Sequence, residues 1–244
     1  MTRARIQLQP GFVLARRPFR DTSLLIEIFT PVHGRVGLVA RGVRGARSPR
    51  SALLQPLRPL LLSWIESGEL GTLTAVDADG PPLALVGERL FCAWYLNELL
   101  LNLLQRHDAH PALFELYAPT LGELAESPVE PVLRRFELRL LAELGYGLNL
   151  GSGIEPGQHY RYDWERGATV KAAADPDTLT GESLIALRDG TLQRSEDLAA
   201  ARRLLREALR RQLGGRELRT PRLLRELRSN AAAASRHPGE AKQD

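Results

Sequence analysis

Between Asp77 and Pro82 the chain reads Asp-Ala-Asp-Gly-Pro-Pro, and the hydrophobic period changes across this stretch. Two prolines and a glycine in six residues admit neither a helix nor a strand running through, so the break imposes two parts on the fold. On its N-terminal side the apolar residues come in short runs cut by Gly, Pro, Asp and Ser. Phe12–Arg17, Ser23–Thr30 (SLLIEIFT), Val36–Val43, Pro59–Ile65 (PLLLSWI) and Leu70–Asp77 (LGTLTAVD) read as five strands. Turn chemistry separates them at Val32-His33-Gly34-Arg35 and Glu66-Ser67-Gly68-Glu69. Five short strands suit a small barrel of the OB type, and the count alone suits an SH3-like barrel equally.

Beyond the break the period is helical. Glu88–Leu104 repeats apolar residues at Leu90, Trp94, Leu96, Leu100 and Leu103. Pro111–Glu126 is a second helix, in which Pro119 imposes a kink or a short break. Pro131–Gly145 is a third, with Leu133, Phe136, Leu140, Leu141 and Leu144 on one face and Gly145 as its C-terminal cap. Residues 146–179 lose this period, and Tyr160–Ala172 reads as a β-hairpin turned at Gly167. Helices resume at Gly181–Leu187, Glu196–Leu213 (stopped by Gly214-Gly215) and Pro221–Arg228, the last capped by Thr220. The expected class is therefore α+β. A five-stranded barrel spans residues 1–80, a mainly helical domain with a small hairpin near 159–172 spans 81–230, and 231–244 form a disordered tail.

Several function classes are excluded early. The single cysteine, Cys92, forbids an intrachain disulfide and any multi-cysteine metal cluster. No run of 18 apolar residues exists, and the first residues lack the apolar core of a signal peptide, so the expected compartment is the cytoplasm. No phosphate-binding glycine loop, dinucleotide fingerprint, zinc-protease helix or serine elbow is present. The five histidines are scattered; His107 and His110 flank Asp108 on a polar stretch that reads as a solvated loop rather than a metal site. No enzyme, metal or cofactor is expected.

Charge is the positive signal. The net charge is only +4, yet residues 1–80 hold 11 arginines against 6 acids, 81–200 hold 10 bases against 18 acids, and 201–228 hold 10 arginines against 3 glutamates. Basic extremities around an acidic middle point to a polyanionic partner. Lys171 and Lys242 are the only lysines, although arginine excess can equally follow from a GC-rich genome. The segment Ala40–Arg50 carries Arg41, Arg44, Arg47 and Arg50 at every third position without an acid, and Arg16, Arg17, Arg20 and Arg35 add to its field. Single-strand binding also calls for aromatic platforms, for which Phe19, Phe29 and Trp64 are candidates, with Phe29 read as core. A second basic surface is the helical stripe Arg202, Arg206 and Arg210 with Arg203 beside it, opposite Leu204, Leu205, Ala208, Leu209 and Leu213. On the third helix Arg134 and Leu138 are i, i+4 neighbours on the flank; such a pair can hold an acidic–apolar peptide end, but the residues alone read better as a solvated face.

The chain also resembles the RecO family of bacterial recombination mediators. The resemblance lies in Phe12–Ser23 (FVLARRPFRDTS), His33–Arg44 (HGRVGLVARGVR), Leu54–Leu57 (LQPL), Tyr95–Leu100 (YLNELL), Leu133–Leu138 (LRRFEL) with Leu144–Gly147 (LGYG), and Leu213–Leu218 (LGGREL). These occur in the family's order over residues 8–228. The resemblance implies an OB barrel, binding of single- and double-stranded DNA, annealing of complementary strands and a nucleoid location. It also implies action with RecR to load RecA onto DNA coated by single-stranded-DNA-binding protein, whose acidic C-terminal tail would dock at Arg134 and Leu138. Many members carry a four-cysteine zinc module after the Leu-Gly-Tyr-Gly segment; residues 149–174 contain no cysteine, so the chain resembles the zinc-free branch. Two other classes fit the residues: an RNA-binding OB protein, and a scaffold that gathers partners without annealing strands.

Overall fold

The computed structural model describes residues 4–44, 48–171, 175 and 177–224. Arg47, the end of the last expected helix and the tail 231–244 lie outside them. The N-terminal part comprises β1 (Arg5–Phe19), β2 (Ser23–Thr30), β3 (Gly34–Ala40), a short helix α1 (Pro49–Leu53), β4 (Pro59–Ile65) and β5 (Gly71–Ala78). The five strands close into a barrel in the order β1-β2-β3-β5-β4, with β3 and β5 parallel at Leu38–Gly71 and Val39–Thr72. This order, with a helix between the third and fourth strands, is that of an OB barrel and resolves the ambiguity left by the strand count. Val13, Ile26, Ile28, Leu38, Leu60, Leu62 and Trp64 fill the interior, each without accessible surface.

Two strands, β1 and β3, differ from the sequence expectation by more than one residue. β1 starts seven residues earlier than Phe12, because Arg5–Gly11 pair with β4 alone and carry polar side chains on their open face. A bulge between Ile6 and Gln9 puts Leu8 at φ +49 and hides the alternation. β3 begins and ends earlier than Val36–Val43, and Gly42 at φ +67 turns the chain inward to bury Val43.

The helical part comprises α2 (Gly87–Leu103), α3 (Pro111–Glu126), α4 (Val129–Glu143), α5 (Gly181–Asp189) and α6 (Ser195–Gln212). Between α4 and α5 lie β6 (His159–Asp163), β7 (Gly167–Lys171) and β8 (Leu179–Thr180), forming a sheet of order β7-β6-β8. The third strand was not foreseen; it is two residues long. α3 runs through Pro119 as one helix, and Thr120 Oγ1 bonds back to the Leu116 carbonyl at 2.7 Å in the adjoining turn. Gly145, at φ +80, ends α4 with the paired bonds Tyr146 N to Leu141 O and Gly145 N to Ala142 O. Residues 219–224 are helical, and the cap is not Thr220. The Glu98 carboxylate accepts the N–H groups of Arg219 and Thr220 at 2.7 and 2.9 Å, one side chain of α2 satisfying two open donors.

The barrel interior is one buried cluster, and the barrel's outer face joins the second, helical one. β2 is buried on both faces: Ile26 and Ile28 point into the barrel, while Phe29 points out toward the helices. Phe12 and Phe29 meet Phe114 and Tyr117 of α3 in tilted and edge-on contacts, with centroids 5.1–6.2 Å apart. Such pairs contribute about 0.5–1.5 kcal/mol each beyond their buried area. Asn97 crosses the same seam, donating to the Leu14 carbonyl at 2.9 Å and accepting from the Tyr117 hydroxyl. A second joint forms at Gly34, whose φ is +60 and where an added Cβ would fall 1.8 Å from the Asp108 carbonyl oxygen. There the His107 amide donates to the Arg35 carbonyl, and Arg35 donates from Nη1 to the Leu101 carbonyl at 2.5 Å.

We expect Asn97→Leu to fold but to lose about 2–3 kcal/mol, because the Leu14 carbonyl and Tyr117 hydroxyl stay buried without partners. Urea unfolding measures this directly; an unchanged midpoint would remove Asn97 from the joint.

Candidate nucleic-acid interface and partner groove

The β1–β2 turn, the segment after β3 and α1 converge at one end of the barrel. The Arg44 amide donates to the Thr22 carbonyl, and its Nη1 donates to the carbonyls of Arg20 and Asp21 at 2.8 and 3.2 Å. Arg16 Nη1 donates to the Ser51 carbonyl at 3.2 Å, and Arg50 Nη2 reaches the Thr74 carbonyl at 3.5 Å. Register adds the other two: Arg17 pairs with Leu25, and Arg41 follows Ala40, which pairs with Leu24. Carbonyl anchors orient a guanidinium without cancelling its charge. Among the described residues no carboxylate lies within 4.0 Å of Arg16, Arg17, Arg20, Arg41, Arg44 or Arg50, although Asp21 belongs to the same turn. All six are exposed, and such a set of open forks is what phosphates bind.

The aromatic candidates separate. Phe29 and Trp64 are wholly buried and serve as core. Phe19 is half-buried, with the Arg20 guanidinium 5.3 Å from its ring centre. Arg35 does not join the basic end. It sits half-buried at the joint with the helices, 4.0 Å from Glu27, which also takes an ion pair from Arg106. Burial pulls its guanidinium below the ordinary value, with Glu27 opposing.

α6 carries the second stripe on an anchored platform. Asp197, in its first turn, accepts from Arg194 Nε and Nη2 at 2.9 and 2.8 Å and from Ser183 Oγ at 2.7 Å. Along the stripe, Arg202 pairs with Glu130 at 3.0 Å, Arg210 with Glu207 at 2.8 Å, and Arg203 donates to the Thr178 carbonyl at 2.7 Å. Unlike the barrel end, this stripe is partly neutralised. Arg206 has no such carboxylate among the described residues.

Arg134 was expected on an exposed flank, but it is only 6% exposed. Its Nη2 lies 2.9 Å from Glu137 Oε1, the same oxygen that accepts from the Tyr95 hydroxyl at 2.6 Å. The i, i+3 spacing to a buried glutamate was the available signal. Burial raises the Glu137 carboxyl above the ordinary range against the opposing pull of Arg134. Arg134 lines a groove of about 400 Å³ between α2, α4, α6 and residues 219–224, and Arg202, Arg206 and Arg210 line the same groove. Leu138 packs half-buried against the helical core and does not line it. Sequence reading treated Arg134 and the α6 arginines as separate sites; the fold brings them together, over a floor that includes Phe91, Leu133 and Leu209.

The family described as Recombination protein O N terminal matches residues 4–80, and Recombination protein O C terminal matches residues 85–222. The chain belongs to the RecO family. It is 48% identical over 233 residues to the DNA repair protein RecO of Nitrosococcus oceani, covering 92% of this chain and 95% of that protein. It is 44% identical over 232 residues to the DNA repair protein RecO of Aromatoleum aromaticum, covering 91% and 97%. A third relative, the DNA repair protein RecO of Thiobacillus denitrificans, is 42% identical over 240 residues, covering 92% and 93%.

In this RecO chain the cysteine-free segment is braced by polar and aromatic contacts. The Asn149 amide donates to the Tyr162 hydroxyl at 2.8 Å, Tyr162 meets Trp164 at 5.0 Å, and the Arg211 guanidinium stands 4.4 Å from the Trp164 ring centre. Sequence reading missed this clasp of hairpin on α6, because residues 47 positions apart give no local signal. Among the described residues no group of three His, Cys, Asp or Glu is placed to hold a metal ion, and no helix is long and apolar enough to cross a membrane.

Hydrogen bonds from Arg194, then from Ser183, hold the Asp197 carboxyl below its usual range. The unfolded chain therefore takes up this proton more readily, so the contribution is present above the unfolded-state pKa and is lost as pH falls through the depressed folded value. We expect Asp197→Asn to lose about 1.5–3 kcal/mol at neutral pH and to lose less than the wild type on acidification. Urea unfolding at neutral and acidic pH checks this; parallel pH curves would refute it.

Proposed function

We propose that this chain is a DNA repair and recombination mediator that acts by binding rather than by catalysis. The observation that carries the reading is the barrel end, where six exposed guanidiniums stand without carboxylate partners among the described residues in a chain of the RecO family. Phosphate neutralisation there gives sequence-independent affinity for single- and double-stranded DNA, with Phe19 as the accessible aromatic and residues 1–80 as the DNA-binding domain. Holding two strands on a basic surface lowers their mutual repulsion, which is the physical basis for annealing. The α6 arginines extend the contact into the helical domain, residues 81–230.

The groove at Arg134 supports the second half of the reading. Arginines above an apolar floor suit an acidic tail with a bulky end, such as the C-terminus of single-stranded-DNA-binding protein. Leu138 would support Arg134 from the same helix turn. Recruitment to coated DNA in the nucleoid, followed by loading of RecA together with RecR, is the role this combination serves. The names of these three relatives, DNA repair protein RecO, support the DNA-repair part of the reading.

The test replaces Arg16, Arg41, Arg44 and Arg50 with alanine in the full chain. Each lost phosphate contact flattens the salt dependence of single-strand binding by about 0.7 log units per log unit of salt, so a fall of roughly 2–3 is expected, with slower annealing of labelled complementary oligonucleotides. Unchanged binding would remove the barrel end from the interface. Preference for matched RNA would favour an RNA-binding protein, and tail binding without annealing would favour a scaffold.

A further inference from the structure

Arg202, Arg206 and Arg210 recur at i, i+4 and i+8, so they stand along about 12 Å of one face of α6. The groove that this face borders has Arg134 in its opposite wall and aliphatic side chains such as Leu133 and Leu209 beneath. Its arginines already hold carboxylates: Arg202 is on Glu130 and Arg210 is on Glu207. Arg134 Nε is buried there without a hydrogen-bond partner, leaving an open donor at the wall for an incoming carboxylate, while Glu130 Oε2, likewise unpartnered, is an acceptor and does not help an acidic ligand. The floor is apolar, with Phe91 beside the leucines, and an apolar side chain flanked by carboxylates satisfies both floor and rim. The barrel-end arginines line no part of this groove.

We propose that an acidic, apolar peptide end seated in the groove takes Arg206 and Arg202, beside the Glu207-held Arg210, as its carboxylate contacts and thereby withdraws them from a DNA strand. A guanidinium carries five N–H donors, so Arg202, whose Nη2 is on Glu130, keeps donors for which a peptide carboxylate and a phosphate compete, as does Arg206. A second anion one helix turn away, about 6 Å, lies within one screening length of the first. Peptide and strand therefore exclude each other on α6, while the barrel end keeps its hold on the strand. The inference rests on the docking reading given above and adds a consequence to it: tail binding converts a two-surface grip on DNA into a one-surface grip.

The experiment measures binding of a labelled single-stranded oligonucleotide to the full chain over a range of salt, with and without a saturating synthetic peptide. The peptide copies the acidic C-terminus of the single-stranded-DNA-binding protein of the same organism; a control carries Asn for each Asp. The acidic peptide is expected to flatten the salt slope by about 0.7–1.4, from one or two phosphate contacts (Arg206 and Arg202) at about 0.7 each, Arg210 being held by both Glu207 oxygens, and the control is not. The variant Arg202→Ala/Arg206→Ala/Arg210→Ala should show the flatter slope from the outset, no further effect of peptide, and at least tenfold weaker peptide binding. Arg206→Ala alone breaks no ion pair among the described residues and should show part of both losses, which guards against misfolding of the triple variant. A peptide that binds while the slope stays unchanged sinks the exclusion and leaves docking intact. A peptide that does not bind the wild type sinks the docking reading itself, and the exclusion with it.

Discussion

The rest of the molecule depends on β2 being buried twice. Its residues Ile26 and Ile28 close the barrel from within, while Phe29 on its other face enters the helical core beside Phe12. A strand so placed cannot expose either face to water, and this is why SLLIEIFT reads as a nearly unbroken apolar run rather than an alternation. Its one charged member, Glu27, is held by two arginines from outside the strand, Arg35 and Arg106. Asn97 completes the arrangement by giving the aromatic seam a directional bond, fixing how α2 and α3 sit on the barrel and not merely that they do.

Much of this architecture was legible in the sequence. β2 and β4 fell where their apolar runs begin and end, and α3 spans Pro111–Glu126 as its start and stop signals require. The α+β class and the barrel followed from the change of period near Asp77. The boundaries that failed are those set by partners rather than by the segment itself: β1 extends through Arg5–Gly11 because β4 offers it hydrogen bonds, and β8 exists because β6 has a free edge at Tyr160. The cap at residue 219 comes from Glu98, more than a hundred positions earlier, which no local pattern can announce.

The functional surface was legible as charge and illegible as pairing. Arg35 and Arg41 look alike in sequence, yet one is spent on Glu27 at a joint and the other stands open at the barrel end. Arg134 looked like a flank residue until Glu137 drew it inward. Likewise the α6 stripe and Arg134 lie some seventy positions apart and share a groove only because α4 and α6 pack side by side. Counting arginines therefore located the basic ends of the chain, while tertiary contacts decided which of them stand without a carboxylate among the described residues.

The contact at Gly34 has an evolutionary corollary. The barrel is closed between β3 and β5 by only two residue pairs, and the remaining edge of β3 is bridged by Arg106 from the connection between α2 and α3. A glycine is required there because the Asp108 carbonyl occupies the space of a side chain. The N-terminal barrel is thus not a freely exchangeable module: transplanted onto another protein, it would carry an open seam and the uncovered rings of Phe12 and Phe29. Recombination between genes at the Asp77–Pro82 break, which looks permissive in sequence, would be penalised unless the helical partner travelled with it.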